Sequence, residues 1–303
     1  MKLLLTRPAA ADWPALAPFI HAWNQRPEGG VHCLHAASGS DAAAHAAELA
    51  ALAPDEAAFW RAVEGDRIVG VFGCEFDPEL GRAWMRGPLA DRPEVLAALL
   101  PVVQATVQSA LPRVMQFEAF PAADGALLND WYAAAGYTPL QIHAALRAES
   151  RDWPEPPMPV GRALAADLPD VLALHDELFP ATYLGGSAFR RALDAADCAV
   201  FVARDADARP VGYLYVEQHP ADQEAYVHFL GVQSSQRGRG FAQALLGAAA
   251  RWGAERGFSH VALTVREDRP GARRLYRRAG FVEVSTGRHW RKTTGDPPQP
   301  TKA

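Results

Sequence analysis

The stretch "GVQSSQRGRGFAQALL", Gly231–Leu246, decides how the second half of the chain is interpreted. It continues the run "YVHFLGV", Tyr226–Val232, whose aromatic and β-branched residues are typical of a strand. From Phe241 onward, apolar residues recur at the three- and four-residue spacing of an amphipathic helix. The sequence therefore predicts a strand, a tight turn and a helix in that order.

Two glycines and two arginines in this turn predict its chemistry. Gly238 and Gly240 let the backbone bend and approach a ligand closely. The first N–H groups of a helix lack internal partners, and the positive end of the helix dipole points the same way. Such a turn can bind a phosphate or pyrophosphate, with Arg237 and Arg239 adding charge-assisted contacts. From the turn alone, an exposed loop with solvated arginines explains these residues equally well.

Two common nucleotide motifs do not fit the turn. The P-loop requires Gly-Lys-Ser or Gly-Lys-Thr, which the sequence lacks. The dinucleotide pattern G-x-G-x-x-G begins at Gly238 and Gly240 but meets Gln243 at its third glycine position. Neither motif therefore identifies the ligand.

Length, charge and cysteine content narrow the class of protein. The 303 residues suffice for two domains of about 150 residues each. A net charge of −5 argues against a main role in binding nucleic acid or an anionic membrane. Three widely spaced cysteines, Cys33, Cys74 and Cys198, do not suggest a disulfide framework and indicate a reducing, cytoplasmic location. We expect neither a secretory signal nor a membrane span, because no apolar run is long enough.

The two halves of the chain follow one plan. Val69 and Val211 each open a strand-like run, and Gly136 and Gly280 each follow the last helical segment. The offset between the halves is 142 at the first pair and 144 at the second, so the register hardly drifts. This pattern predicts an internal duplication of one α+β domain.

Domain limits follow from composition. Residues 148–157 are rich in proline and charge and predict a linker between a domain at 1–147 and a domain at 158–292. Residues 293–303 predict a polar tail. The first half carries "RGPLADRPE" where the second has its glycine turn, and Pro88 and Pro93 remove backbone N–H donors there. We therefore expect only the second domain to bind a phosphorylated ligand.

Three features together resemble the GNAT acetyltransferase superfamily: the strand "HFLGV", the pattern Arg237-x-x-Gly240-x-Ala242, and the downstream "ARRLYRRAGF". The resemblance covers roughly residues 160–290, and the first half looks like a second, degenerate copy. It implies two tandem GNAT-like α+β domains, each a mixed, mostly antiparallel sheet flanked by helices.

The resemblance also implies cofactor contacts. In this family, backbone amides of the turn bind the acyl-CoA pyrophosphate, which here points to Arg237, Gly238, Arg239, Gly240, Phe241 and Ala242. The backbone of Leu230, Gly231 and Val232 would pair with the pantetheine arm as an added strand. The family commonly has Asn where this chain has Arg269, so Asp268 or Arg269 would have to replace that side-chain contact.

Acyl transfer to an amine requires removal of an amine proton, stabilisation of an oxyanion and protonation of the leaving thiolate. Tyr276 matches the tyrosine that often faces the CoA sulfur and is the candidate acid, with a packing aromatic as the alternative. His228 and Glu217 are candidate bases, and structural roles explain both equally well. In a regular strand, Tyr226, His228 and Leu230 would share one face.

These features predict an acyl-CoA-dependent N-acyltransferase. Acetyl-CoA is the expected cosubstrate, with direct transfer to an amine of a small molecule or peptide by a monomer or homodimer. No metal is expected, because "HCLH", His32–His35, lacks a second ligand pair at zinc-site spacing. An acyl-CoA-binding sensor without turnover and a protein–protein scaffold are the alternatives.

Overall fold

The computed structural model describes residues 3–24, 26, 42–52, 55–151, 153, 158–180 and 182–295. It divides into two compact units. Unit 1 comprises the described residues of Met1–His143 and Ser285–Gln299, and unit 2 those of Ala144–Val284. The predicted "HCLH" motif and Cys33 lie outside the described residues, whereas Cys74 and Cys198 are buried free thiols.

The strands are β1 (Leu4–Thr6), β2 (Ala57–Glu64), β3 (Arg67–Asp77), β4 (Arg82–Ala90), β5 (Gln116–Ala119), β6 (Thr138–Glu149), β7 (Val160–Arg162), β8 (Cys198–Arg204), β9 (Pro210–His219), β10 (Glu224–Val232), β11 (His260–Arg266) and β12 (Val282–Thr293). The α-helices are α1 (Trp13–Asn24), α2 (Ala42–Ala51), α3 (Pro93–Leu99), α4 (Val103–Ala110), α5 (Ala126–Ala134), α6 (Leu168–Leu178), α7 (Gly186–Asp194), α8 (Phe241–Ala254) and α9 (Pro270–Arg278). Single turns of 3-10 helix occur at Ala10–Asp12, Ala165–Asp167, Pro220–Asp222 and Ser234–Gln236. None of the helices in the described part of the chain has both the length and the apolar character needed to cross a bilayer.

Unit 1 has its strands in the order β1-β2-β3-β4-β5-β12. Neighbouring strands are antiparallel except β4 and β5, which pair in parallel over Arg82–Trp84. Leu16, Ile20 and Trp23 lie at helical spacing on α1 and are fully buried in the apolar core of this unit. The helix is therefore held by one apolar face.

Unit 2 has its strands in the order β6-β11-β10-β9-β8-β7. Among strands β7 to β11, neighbours are antiparallel except β10 and β11, which pair in parallel. Successive residues of β9 point to opposite faces. Leu214 packs in a core with α8, whereas Tyr213 and Tyr215 pack in a second core with α6 and α7. The predicted mixed, mostly antiparallel sheet flanked by helices is confirmed.

The last strand of each half contributes to the other unit. In β6, Ala144, Leu146 and Ala148 are buried in the core of unit 2. In β12, Trp290 is buried in the core of unit 1, and the strand pairs with β5. These units therefore differ from the segments 1–147 and 158–292, because alternating hydrophobicity predicts a strand but not the sheet that it joins.

Part of the predicted linker, 148–157, is structured within unit 2. Its first two residues end β6. The next residue, Ser150, is buried and donates its backbone N–H to the carbonyl of Ser259 at 2.8 Å. Trp153 packs edge-to-face on Phe281, with ring centroids 6.0 Å apart. Ser150 and Trp153 therefore contact later residues of unit 2, whereas residues 152 and 154–157 lie outside the described part of the chain.

The position of Trp290 gives a stability prediction. Its indole N–H donates to Oδ1 of Asn129 at 2.7 Å, and only 5% of the residue is exposed. We expect Trp290→Phe to lower the free energy of unfolding of unit 1 by about 1 to 2 kcal/mol, because the Asn129 oxygen loses its donor. Faster amide hydrogen exchange in β5 and α5 would measure this loss.

Val284 provides the control on the same strand. Its side chain is largely exposed, so Val284→Ala should change the free energy of unfolding by less than about 0.5 kcal/mol. Equal effects of the two variants would contradict the packing of Trp290 in unit 1.

Candidate active site

Strands β10 and β11 separate part of the way along unit 2. They pair from Glu224 to Val227, opposite His260–Leu263. Strand β10 continues to pair with β9 on its other side as far as Val232. Beyond Val227, the β11-facing edge of β10 has no strand partner among the described residues. Its free peptide groups can pair with an extended ligand, as an added strand would.

A β-bulge interrupts β10 at His228. The ladder with β9 passes from Val227 opposite Val216 to Phe229 opposite Tyr215, which leaves His228 as the extra residue. Val227 consequently packs in the core with α8, whereas Phe229 packs in the core with α6 and α7. The bulge sits where β10 and β11 separate.

The bulge corrects one prediction from the sequence. Tyr226, His228 and Leu230 were expected to share one face of a regular strand. Tyr226 and His228 are neighbours, with ring centroids 4.9 Å apart, but Leu230 packs against the core with α8 on the opposite face. The expectation was wrong because the extra residue reverses the alternation of the strand.

Gly231 is needed for packing beside this edge. A Cβ at this position would lie 2.7 Å from Cε1 of Tyr213 and 2.8 Å from Cδ1 of Leu178. Real Cβ atoms essentially never make such contacts, so a larger residue would displace the strand. The glycine therefore lets β10 lie close to the aromatic core while its outer edge stays open.

The predicted strand–turn–helix order is confirmed. Gly238 and Gly240 have φ values of +79° and +91°, a conformation that favours glycine. Gly240 precedes α8, and its carbonyl accepts the first helical bond, from the N–H of Ala244 at 3.0 Å. In the part of the chain that the structure describes, the backbone N–H groups of 238–243 have no backbone acceptor. The turn therefore offers several donors at the positive end of a helix.

The two arginines of the turn differ in what they contact. Nε of Arg237 donates to the carbonyl of Val232 at 3.3 Å, which ties the turn to the end of β10. Arg239 is exposed and makes no ion pair with any described residue. Arg239 is therefore the side chain that is available to an anion at this turn.

Asp268 and Arg269 lie just before α9. The carboxylate of Asp268 accepts two hydrogen bonds from Arg266, one of them from Nε at 2.9 Å. Nε of Arg269 lies 3.9 Å from the same carboxylate. Because the Asp268 carboxylate is already hydrogen-bonded to Arg266, Arg269 is better suited than Asp268 to contact the cofactor. That role stays a prediction.

Tyr276 is half-buried on α9 and borders the core with α8, as Leu230 does. Its ring packs edge-to-face on Phe281, with centroids 5.7 Å apart. Its hydroxyl makes no hydrogen bond to any described residue. Burial raises the pKa of Tyr276 to about 12, so the hydroxyl is protonated and can donate near neutral pH.

Glu217 and His228 are brought together from neighbouring strands. Nε2 of His228 lies 3.1 Å from Oε2 of Glu217, although not in line for a well-formed hydrogen bond. Tyr215 donates to the other carboxylate oxygen of Glu217 at 2.7 Å. Burial would raise the pKa of Glu217, but contacts with His228 and Tyr215 outweigh burial and lower it to about 2. The glutamate is therefore ionised at neutral pH.

Two tyrosines of this site were not predicted from the sequence. Tyr183, between α6 and α7, places its hydroxyl 2.8 Å from Nδ1 of His228. No sequence signal links residues 45 positions apart in this way. Tyr215 could have been found, because residues two apart on a strand share a face and Glu217 follows at that spacing.

Unit 1 has a glutamate–arginine pair where unit 2 has Glu217 beside His228. Glu75 lies opposite Trp84 in β3–β4, as Glu217 lies opposite Tyr226 in β9–β10. Its partner is Arg86, with Nη2 2.6 Å from Oε1 of Glu75. A guanidinium does not lose its proton in proteins, so Arg86 cannot accept a proton as a histidine at this position could.

The tyrosine that corresponds to Tyr276 is also used differently in unit 1. Tyr132 is buried and donates its hydroxyl to the carbonyl of Gly87, within β4. Helix α3 then begins at Pro93, only three residues after β4 ends. Two glycines with positive φ lie directly before α8, but the described residues between β4 and α3 include no such glycine. At these described positions, unit 1 therefore offers neither the glycine-turn donors nor the free tyrosine hydroxyl of unit 2.

Comparison with known proteins also distinguishes the second half of the chain from the first. The model of the acetyltransferase (GNAT) family matches residues 168–281. A mycothiol acetyltransferase of Clavibacter michiganensis subsp. michiganensis is 32% identical over 164 residues, which cover 50% of this chain and 53% of that relative. A mycothiol acetyltransferase of Saccharomonospora viridis is 30% identical over 168 residues, covering 48% and 54%. The chain thus spans about half the length of the curated relatives it matches.

Solved structures match almost the whole chain. A GCN5-related N-acetyltransferase from Sphaerobacter thermophilus has a TM-score of 0.73 at 18% identity, covering 97% of this chain and 96% of that one. A tandem GNAT protein from the clavulanic acid biosynthesis pathway has a TM-score of 0.67 at 16% identity, covering 97% and 99%. These identities establish the fold alone. Residues 168–281 therefore match the GNAT acetyltransferase family, within a chain that has the fold of tandem GNAT proteins.

Proposed function

We propose that this chain is an acetyl-CoA-dependent N-acetyltransferase that transfers the acetyl group directly to an amine. The observation that carries the proposal is the open edge of β10 leading to the glycine turn before α8. The two features lie in sequence, so one extended ligand with a pyrophosphate can engage both. The mycothiol acetyltransferase relatives support acetyl transfer as the reaction class.

Two parts of the backbone would hold the cofactor. The N–H groups of 238–243 would bind the pyrophosphate, because they are unpaired and lie at the positive end of α8. The outer edge of β10 at Leu230, Gly231 and Val232 would pair with the pantetheine arm. Arg239 would add a charge-assisted contact to a phosphate. Unit 1 would serve as a scaffold without a cofactor.

We assign the proton acceptor to His228 and a supporting role to Glu217. A carboxylate whose pKa is lowered to about 2 is a weak base, so Glu217 is poorly suited to accept the amine proton itself. Its negative charge beside Nε2 of His228 would stabilise the imidazolium that forms after proton transfer. Tyr183, at Nδ1, would orient the ring. Tyr276 would protonate the departing thiolate.

The histidine gives a test of the reaction. We expect His228→Gln to lower kcat by about tenfold to a hundredfold, less than the usual 10² to 10⁴ for a general base, because water can partly replace the imidazole. The measurement is release of free CoA thiol from acetyl-CoA with a panel of primary amines. The affinity for acetyl-CoA should stay unchanged, because His228 makes none of the proposed cofactor contacts.

His260→Gln is the matched control. His260 also lies beside a carboxylate in unit 2, with Nε2 3.6 Å from Oε1 of Glu149, but away from the open edge of β10. This variant should retain the kcat of the wild type. If no amine in the panel causes release of CoA thiol, the proposed reaction is refuted and a sensor that binds acyl-CoA without turnover is favoured.

A further inference from the structure

We propose that Glu217, His219 and His228 form a binding site for Zn²⁺ or a similar divalent transition-metal ion. Their ligand atoms all lie within 4.8 Å of one another. Two imidazoles and one carboxylate are a donor set that zinc prefers, and its bonds to these donors are about 2.0 to 2.2 Å long. Small side-chain rotations therefore suffice to bring the three ligands onto one ion.

The backbone places the three side chains on one face. Glu217 and His219 are two residues apart on β9, so they point to the same side of the sheet. His228 reaches that side from β10, because the bulge directs it towards Tyr215 and Glu217. Two ligands from one strand and a third from its neighbour make a rigid set, since none depends on a loop.

Contacts around the three ligands orient them as a metal site requires. The hydroxyl of Tyr183 contacts Nδ1 of His228, which leaves Nε2 directed at Glu217. Tyr215 donates to Oε1 of Glu217 and leaves Oε2 available. The ring of His219 stacks on Tyr226, with centroids 4.9 Å apart and 3° between the planes. Ligating side chains in proteins are commonly fixed by such outer contacts.

The buried Nε2 of His228 is the second observation that points to a ligand. It is shielded from solvent and makes no well-formed hydrogen bond, although Oε2 of Glu217 lies only 3.1 Å away. A buried polar nitrogen without a good partner is costly. An ion between the two atoms would satisfy both.

A second set of possible ligands shares His219 but is less suitable. It adds Asp222 and Glu224 to the histidine. The carboxylate of Glu224 is buried and paired with Arg147, with Nη2 3.0 Å from Oε2. The positive charge of Arg147 would repel a cation bound to Glu224. Among the described residues, no arginine or lysine forms an ion pair with Glu217, the carboxylate of the first set.

Zinc bound here would stop acetyl transfer, a consequence that rests on the proposed function. The ion would take the lone pair of His228 that accepts the amine proton. The site itself does not depend on that function, because it follows from the donor atoms and their contacts. Metal binding and catalysis are therefore tested separately.

The first test measures binding alone. Metal-free full-length protein is titrated with Zn²⁺ by calorimetry and with Co²⁺ by visible absorption. We expect one ion per chain and a Co²⁺ spectrum of low coordination number. His219→Gln should weaken Zn²⁺ binding at least tenfold, whereas Asp222→Asn should bind as the wild type does. Absence of binding, or equal weakening by the two variants, would overturn the proposed site.

The second test uses thiol release from acetyl-CoA. Zn²⁺ at the concentration that saturates the calorimetric site should abolish the activity of the wild type, and a chelator should restore it. His219→Gln should resist the same concentration, because it keeps His228 but loses a ligand. Full activity of the zinc-saturated wild type would show that the ion binds without reaching His228 and would refute the inhibition. If no amine is a substrate, the titration still decides the site.

Discussion

Gly240→Asp is expected to weaken acetyl-CoA binding at least a hundredfold, which corresponds to about 2.7 kcal/mol. Gly240 has a φ of +91°, a region that costs an L-residue about 1 to 2 kcal/mol. Relief of that strain would rotate the N–H groups at the start of α8 away from the ligand. The added carboxylate would also repel the pyrophosphate that these groups are proposed to bind. Isothermal titration with acetyl-CoA measures the change.

Gly257→Asp provides a control for backbone strain. Gly257 has a φ of +84° and, like Gly240, has room for a side chain, but it lies beyond the other end of α8. The two variants should lose similar amounts of stability on heating. Only Gly240→Asp should lose affinity, and equal affinity of the two variants would disprove the assignment of the turn.

Tyr276→Phe is expected to lower kcat by about a hundredfold to a thousandfold, while the affinity for acetyl-CoA changes little. The reason is the loss of the proton that would neutralise the leaving thiolate, since general acids contribute about 10² to 10⁴ in rate. The hydroxyl makes no hydrogen bond to any described residue, so its removal should not destabilise the fold. Single-turnover thiol release separates this step from binding.

Tyr132→Phe is the matched variant in unit 1, because Tyr132 occupies the corresponding position of the first copy. Its hydroxyl is bonded to a buried carbonyl, so the variant should lose about 1 to 2 kcal/mol of stability. Its kcat should equal that of the wild type. A Tyr276→Phe enzyme with full kcat would exclude the proposed acid and leave the thiolate to depart unaided.

Local sequence signals predicted the parts of the fold that depend on local physics. The turn was predictable because two glycines between a strand pattern and a helix pattern leave few other conformations. The family resemblance and its place before Gly280 single out Tyr276 as the candidate acid, a role that stays a prediction. The duplication was predictable because strands and helices recur at an almost constant offset. Each of these inferences starts from local patterns of residues, and the duplication follows from the repetition of such patterns along the chain.

Features that depend on pairing between distant residues were not predictable. The bulge at His228 changes the face of every later residue in β10, yet nothing in "YVHFLGV" marks it. The contact of Tyr183 with His228 requires the α6–α7 segment to lie beside β10. The placement of Trp290 in unit 1 depends on the pairing of β12 with β5, which lies far away in the sequence. Hydrophobic periodicity carries no information on these choices.

The exchange of last strands has a consequence for the history of the duplication. Each half of the gene encodes one strand that the sheet of the other half needs, so neither half specifies a complete domain. A recombination that deleted or transplanted one copy at the proline-rich junction would leave an unfilled sheet edge in what remained. Loss of the first copy would therefore remove β6 from the core of unit 2, although that copy offers no cofactor turn.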